Sequence, residues 1–552
     1  MKKTYLFFSL ALLLSSCSLT SPSSFLSDSV SSSEDSSSAS QETSVTESTE
    51  VSVSEAVSDS VSNSSPEEIS VSDSTEKELP DYFTIFSFND LHGSYSPYNA
   101  SGNTEVGIAR LKYAIENDSD YDPETSIIVS GGDSYQGSYE GYYDKNLGPD
   151  LLSSMGVKAM ALGNHEFDWG IDTLTQMIER SKDYFPVLAC NIIENSTRKP
   201  VGFVEPSTII TTDSGVKIGI VGAIGSSETS SIKTSIIEKY YFSAEASYVE
   251  NELDKMKDCD FTFFLVHDSI NDSGGYIKKI IDSVQDDGYN FSGIIGAHSH
   301  AFEAQEYSGI PFVQASSNSR AYGKMKFNTK TKEVVNYQYV GMTSADYYVD
   351  NSYLDQDIIN MIESNDAVQT KDIGLGVSID AEFNRYNELY SFIPKSFLYE
   401  AEKEGWKGTN PMIAIQNQGG IRDSVAQGEL TRAKLFKATP FDNKVRIVQN
   451  IKGSVISSII GSNLSGRTNL TSNYCYATSD DKTVNSSAMY DIVAIDYCYE
   501  STYFTRKNID RDDWVSLKKN GSSDWVVPDI LIDYVLTSGK SVLNAADYST
   551  YA

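Results

Sequence analysis

The sequence predicts an α/β layered fold followed by a second, α+β unit. Three observations carry this. Short apolar runs recur from Asp81 onward, each ending in a polar or glycine-rich cluster. Helix-like stretches lie between them, and fresh strand signals appear beyond Ile373. Alternating strand and helix signals imply layers, because each sheet face and each helix stripe must bury its apolar side against another element.

The chain opens with Lys2 and Lys3, then an apolar run over 6–14 that ends in Leu14-Ser15-Ser16-Cys17. The run is too short to span a bilayer and has the form of an export signal. Its end looks like a bacterial lipobox, so 1–16 is read as a lipoprotein signal peptide and Cys17 as the lipidated residue. The alternative is an ordinary secretory peptide with an incidental cysteine. The stretch 17–80 is rich in Ser, Thr, Glu and Asp, with no aromatic between Phe25 and Tyr82. Such a segment buries too little apolar area to offset its ordering entropy, so it is expected to be a disordered tether. The expected location is extracytoplasmic, on the outer face of the bacterial cell membrane.

Domain one is expected over 81–344. Its strand signals lie at 82–88, 126–129, 157–162, 216–221, 261–266 and 293–295, with helix signals at 171–180 and 276–284. A polar linker with some helical character is expected over 345–372. The second domain is expected over 373–552, with strand signals at 411–415, 444–448 and 490–495. Cys190, Cys259, Cys475 and Cys498 lack the spacing of zinc or redox motifs. Isolated buried thiols are the preferred reading, with a Cys475–Cys498 disulfide as the alternative open to an exported protein. The formal net charge of −34 argues against extended nucleic-acid polymers as partners. A small phosphate ester still binds where metals and arginines invert the field locally.

Five polar clusters follow the strand signals directly. They are Asn89-Asp90-Leu91-His92-Gly93, Gly131-Gly132-Asp133, Gly163-Asn164-His165-Glu166-Phe167-Asp168, His267-Asp268 and Gly296-Ala297-His298-Ser299-His300. Strand carboxyl ends converge on one crevice in such sheets, so the clusters should meet in space. They contain all five histidines of the protein. Carboxylates and imidazoles are the ligands a divalent pair needs. Two such ions about 3.5–4 Å apart activate water and stabilise both oxygens of an in-line displacement. Asp133, with two oxygens, is placed to bridge them. Asp268 is read as a solvated acid or one that supports a ligand.

These motifs, in this order, resemble the calcineurin-like metallophosphoesterase superfamily. The extended Gly-Asn-His-Glu-Phe-Asp form and the following domain resemble the 5′-nucleotidase family, over roughly 82–535. The resemblance implies a four-layer β-sandwich flanked by helices, with an α+β substrate-binding domain. It implies two divalent ions (Mn, Zn, Mg or Co). The first would take Asp90, His92, Asp133 and His300; the second would share Asp133 and take Asn164, His267 and His298. It makes His165 the group that stabilises or protonates the leaving oxygen and Asp168 the group that orients its ring, with Asn164 beside them.

In the second domain, Asn417-Gln418-Gly419-Gly420-Ile421-Arg422 resembles the family's Asn-x-Gly-Gly-Ile-Arg signature, which implies substrate contacts from Asn417 and Arg422, the latter on phosphate. Pro440-Phe441-Asp442-Asn443 resembles a Pro-Phe-x-Asn segment whose aromatic stacks on the base. Arg385 lies near where relatives place another substrate arginine, with a plain surface arginine as the alternative. Relatives carry an aromatic followed by Gly-Gly-Asp where this chain has Asp496-Tyr497-Cys498-Tyr499-Glu500. Tyr497 can supply a second stacking face, but the Asp that would hold sugar hydroxyls is absent.

The implied activity is phosphate release from nucleotides by a monomer, with a small-molecule nucleotide as the partner and the membrane reached through Cys17. A 2′,3′-cyclic-nucleotide phosphodiesterase/3′-nucleotidase or a UDP-sugar hydrolase shares the same motifs. A nucleoside-binding lipoprotein without turnover, or an adhesin on a Ser-rich stalk, are the readings from other classes.

Overall fold

The computed structural model describes residues 78–549 apart from 101–102, 366–373, 461–472, 501–503 and 505–506. The signal peptide, Cys17, almost all of the tether and the end of the linker therefore lie outside the described residues.

Two six-stranded mixed sheets form the first part. Edge to edge, one runs Val334–Gly341, Ala321–Asn328, Tyr82–Phe88, Ser126–Ser130, Val157–Ala161 and Val187–Leu188. The other runs Phe302–Tyr307, Ile310–Ala315, Gly293–Ile295, Phe261–His267, Lys217–Ile224 and Ser207–Thr211. The central strands of each are parallel, as in Phe88 opposite Ser130 and Leu265 opposite Ile295.

The two-residue side-chain period of a strand explains the layering. Phe83 and Ile85 of the first strand join Ile127, Val129, Phe263 and Leu265 between the sheets. Phe86 and Phe88 face the other way, against Leu111, Ile115, Leu151 and Leu174 of three helices. On the second sheet, Phe264 and Val266 meet Ile277, Ile281 and Val284 of the helix Tyr276–Asp286. The result is helix, sheet, sheet, helix: the four-layer α/β sandwich.

The segment after this sandwich is more than a connector. The helix Gln356–Ser364 is capped by Asp355, whose carboxylate accepts from the amides of Asp357 and Ile358. Leu354, Ile358 and Ile362 recur every four residues and are buried in the core of the first sheet's helical layer.

The second domain centres on a mixed sheet ordered Tyr474–Thr478, Met412–Asn417, Met489–Ile495, Val445–Lys452 and Val515–Ser516. The helices Glu388–Lys403 and Val527–Thr537 pack on it. Met412–Asn417 and Met489–Ile495 are parallel neighbours, with Ala414 opposite Val493. Their carboxyl ends therefore deliver Asn417 to Arg422 and Asp496 to Glu500 to one edge. Val445–Lys452 runs antiparallel, with Val445 opposite Ile495, so Pro440 to Asn443 reach the same edge from the opposite direction. Cys475 and Cys498 are buried free thiols.

Candidate active site

The five polar clusters do meet at the crest of the sandwich. Asp90, His92, Asp133, His298 and His300 all have φ between +48° and +70°. Left-handed backbone is costly for such residues and persists only where the surroundings over-determine it. Here they do. Asp90 and His92 donate their amides to the carbonyls of Gly132 and Asp133 at 2.9 Å each. Asn89 Nδ2 donates to Asp90 Oδ2 at 2.6 Å and to the Ser316 carbonyl at 2.7 Å, while its Oδ1 accepts from the Ala315 amide at 2.7 Å. At Gly132, whose φ is +95°, a β-carbon would stand 2.9 Å from His267 Nδ1 and 2.8 Å from the Ala161 carbonyl oxygen, so no larger residue fits.

The side chains form two groups. In one, the Nε2 atoms of His92 and His300 lie 3.0 Å apart, and His300 Nε2 is 3.4 Å from Asp90 Oδ1. In the other, His267 Nε2 lies 3.2 Å from Asp133 Oδ2, with His298 completing the set. Asn164 joins them, its Oδ1 3.1 Å from His267 Nε2 and 3.0 Å from His298 Nδ1. His267 Nδ1 donates to the Gly131 carbonyl at 2.8 Å, which turns Nε2 toward Asp133 and Asn164. His298 Nε2 meets Glu228 Oε2 at 3.0 Å, which likewise leaves Nδ1 facing inward.

A pair of divalent cations fits this donor set. Asp90 Oδ1 and Asp133 Oδ2 are buried without a hydrogen-bond partner among the described residues, a costly state that a cation relieves. Burial pushes the Asp133 carboxyl up, but His267 and His165 outweigh it and hold it well below the usual range. Burial, reinforced by neighbouring imidazoles, lowers His92 far below its ordinary value and His298 to about 4. Ionised carboxylates and neutral imidazoles are what metal binding requires. His267 is the exception: burial lowers it, yet Asp133 dominates and keeps it well above 6.5.

Asp133 Oδ1 accepts from the His165 amide at 2.8 Å and keeps a second lone pair, while its Oδ2 has no hydrogen-bond partner among the described residues. One expectation changes. Asp268 is not solvated: it is fully buried, its Oδ1 accepts from the Ser269 amide at 2.7 Å, and burial lifts its carboxyl to about 7.

The remaining predicted residues surround the same centre. His165 Nδ1 lies 2.6 Å from Asp168 Oδ2, and His165 Nε2 accepts from Arg422 Nη2. The Phe441 ring is 6.0 Å from the His165 ring and 5.6 Å from the Arg422 guanidinium. Arg385 is not a plain surface residue, since its Nη1 donates to the Arg422 carbonyl at 2.7 Å. A cavity of about 340 Å³ joins both domains here. Asp133, Asn164, His165, Asp168, His298 and His300 line one side, and Asn417, Arg422, Phe441 and Tyr497 line the other.

Sequence reasoning missed several supports. Glu166 lies inside a recognised motif, but its work shows only in three dimensions: its carboxylate accepts from the amides of Asp133, Ser134, Tyr135 and Gly163 at 2.7–3.3 Å. Glu228 stands four residues beyond the strand Lys217–Ile224, outside the clusters singled out by sequence. Lys233, also on the cavity wall, bonds Asp496 of the second domain at 2.9 Å.

Comparison with known proteins agrees with this geometry. Residues 367–503 match the 5′-nucleotidase C-terminal domain family. The 5′-nucleotidase of Bos taurus is 25% identical over 423 residues, 68% of this chain and 70% of its own length. Endonuclease YhcR of Bacillus subtilis is 25% identical over 410 residues, 69% of this chain but only 33% of that longer protein. The solved 5′-nucleotidase precursor from Thermus thermophilus shares the fold, with a TM-score of 0.63 at 18% identity over 84% of this chain and 97% of that one. The sandwich and the second domain share the fold of solved 5′-nucleotidases, and two His/Asp groups stand where they could hold metal ions. The chain is a hydrolase similar to 5′-nucleotidases, with residues 367–503 matching the 5′-nucleotidase C-terminal domain family.

Proposed function

We propose that the protein is an extracytoplasmic lipoprotein that releases phosphate from nucleotides, acting as a 5′-nucleotidase. The observation that supports this best is the shared cavity: candidate metal ligands and the His165–Asp168 pair form one wall, and aromatic and guanidinium groups form the other.

Asp90, His92 and His300 would hold one cation; Asp133, Asn164, His267 and His298 would hold the other. When bound, two such ions lower the pKa of water and neutralise phosphoryl oxygens. The chain's own groups do the rest. Arg422 offers a planar fork to the phosphoryl oxygens. Phe441 and Tyr497 bracket the base, and Asn417 contacts the substrate beside them. Arg385 steadies the Arg422 backbone through its carbonyl. In this arrangement His165 Nδ1 faces Asp168 and Nε2 accepts from Arg422. An incoming phosphoryl group draws Arg422 away, which frees Nε2 to take a proton from solvent water and then deliver it to the leaving ester oxygen, returning the ring to the neutral imidazole. Asp168 stabilises the intervening imidazolium.

The test is a phosphate-release panel over 5′-, 3′- and 2′,3′-cyclic nucleotides and UDP-sugars with added Mn²⁺ or Zn²⁺. Preference for 5′-monophosphates is expected; a preference for the cyclic or sugar esters replaces this reading with its neighbour in the class. Tight nucleotide binding with no release at any metal would favour a binding lipoprotein. Membrane attachment is tested separately: Cys17→Ser should move the protein from the membrane fraction to the medium.

A further inference from the structure

The sugar of a nucleotide lies between its base and its phosphoryl group, and the acid expected to hold it is missing from the second domain. No Gly-Gly-Asp follows Tyr497. The two acids nearest that point in sequence are turned toward the first domain instead. Asp496 Oδ2 lies 2.9 Å from Lys233 Nζ, and its Oδ1 accepts from the Tyr497 amide at 2.9 Å. Glu500 accepts from the Ser235 amide and hydroxyl at 3.0 and 2.9 Å.

The first domain supplies hydroxyls in that region. Beyond the strand Lys217–Ile224 the chain makes a short helical turn over Glu228–Ser231, and Ser230 and Ser231 both line the cavity. Their bonds show which part of the cavity they face. The Ser230 carbonyl accepts from Tyr497 Oη at 3.4 Å, beside the base. Ser231 Oγ donates to Glu228 Oε2 at 3.1 Å, and that same oxygen meets His298 Nε2 at 3.0 Å, beside the metal centre. The two serines therefore bridge the aromatic bracket and the candidate metal ligands, which is where the sugar must lie. Their own protons are already committed: Ser231 Oγ gives its proton to Glu228, and Ser230 Oγ gives its proton to the Ser227 carbonyl at 2.9 Å. What each hydroxyl keeps is lone pairs, and an acceptor of this kind selects a ligand O–H.

We propose that Ser230 and Ser231 read the sugar, accepting hydrogen bonds from its vicinal hydroxyls, so that the first domain makes the site selective for ribonucleotides over deoxyribonucleotides. This rests on the nucleotide reading of the cavity. It also divides recognition between the domains: the second domain brackets the base, and the first reads the sugar that the missing acid leaves unread.

The test compares kcat/KM of the Mn²⁺-loaded full chain for AMP, 2′-deoxy-AMP and 3′-deoxy-AMP. The wild type should prefer AMP over at least one deoxy ester by about fivefold or more, because the deoxy ester leaves an acceptor without its donor. In Ser231→Ala, and more fully in the Ser230→Ala, Ser231→Ala double variant, that ratio should fall toward one. A purely structural effect, passed through Glu228 and His298 to the metal, would lower all three esters alike and leave the ratio where it was. Equal kcat/KM for all three esters in the wild type, or an unchanged ratio in the double variant, overturns the proposal. If no nucleotide is turned over at any metal, the phosphohydrolase reading fails, and the sugar reading is decided by calorimetric titration of the same three esters. A preference for AMP in affinity that the double variant loses upholds it; equal affinities overturn it.

Discussion

Asp133 bears more of the site than any other side chain: its Oδ1 fixes the His165 amide and its buried Oδ2 faces His267. Asp133→Asn keeps the shape and removes the charge, so turnover should fall by at least about a thousandfold, in line with loss of electrostatic stabilisation worth several kcal/mol. Unchanged turnover would sink the mechanism. Glu228 acts only through His298, whose outer nitrogen it holds at 3.0 Å. Outer partners of metal-bound histidines are worth roughly 10–100-fold in metal affinity. Glu228→Ala should therefore weaken binding of one of two Mn²⁺ ions by that factor in a titration, with Glu228→Gln partly restoring it. Loss of both ions together would point to collapse of the loop. The five ligand clusters were legible because an apolar run before a polar cluster marks a strand end. Glu228 was not, since it stands four residues beyond its strand among small polar residues; Asn89 was in view within its cluster, but its bonds to Asp90 and Ser316 show only in three dimensions. Asp268 misled for a related reason: its neighbour His267 ends a strand, and nothing local shows that the chain then turns inward.

At the scale of elements, short apolar runs closed by polar or glycine-rich clusters marked central strands in both domains. The helix Gln356–Ser364 had an apolar stripe in view, yet its polar residues outnumber that stripe and it reads as a connector. The second domain holds a buried irregularity that its sequence hides as well. On the helix Glu388–Lys403, Glu400 is buried beside Asp533 of the helix Val527–Thr537, with Lys403 bonded to both carboxylates. Burial and then the Asp533 charge lift Glu400 to about 7 from an ordinary 4.5. Between those two values the folded chain binds more protons than the unfolded one, so this group's contribution to stability falls as pH rises through that window. Glu400→Gln removes the charge at the same shape. It should raise the Tm by a few degrees at pH 8, with the gain shrinking toward pH 4. A gain that is constant with pH would show that the charge is not its source.

At the scale of the whole fold, the two domains grip each other on both sides of the cavity. Lys437 bonds Glu105, Tyr98 Oη donates to the Ser424 carbonyl at 2.9 Å, and Gln136 Nε2 to the Pro440 carbonyl at 3.0 Å. On the other side Lys233 bonds Asp496, and Ser235 bonds Glu500 through its amide and hydroxyl at 3.0 and 2.9 Å. The resemblance supplied both domains, but their docking was beyond reach from sequence, because the contacts pair residues up to 332 positions apart with no shared pattern. Arg422 rests on His165 itself, so on the proposed reading substrate entry is expected to part the domains before they close again. Asp496 is buried and Lys233 partly so; the pair bridges the two domains, and removing the lysine strands the Asp496 charge at a cost of up to about 3–5 kcal/mol. In an open arrangement Asp496 is hydrated and that cost vanishes. Lys233→Met should therefore shift the population toward open: a larger radius of gyration by solution scattering and a KM raised at least about tenfold, because binding must now draw on part of its energy to close the domains. Glu500→Gln breaks an exposed contact away from the cavity wall and should move both quantities the same way by a smaller step. A raised KM with an unchanged radius in Lys233→Met would instead make Lys233 a direct substrate contact and leave the closure to the other side of the cavity.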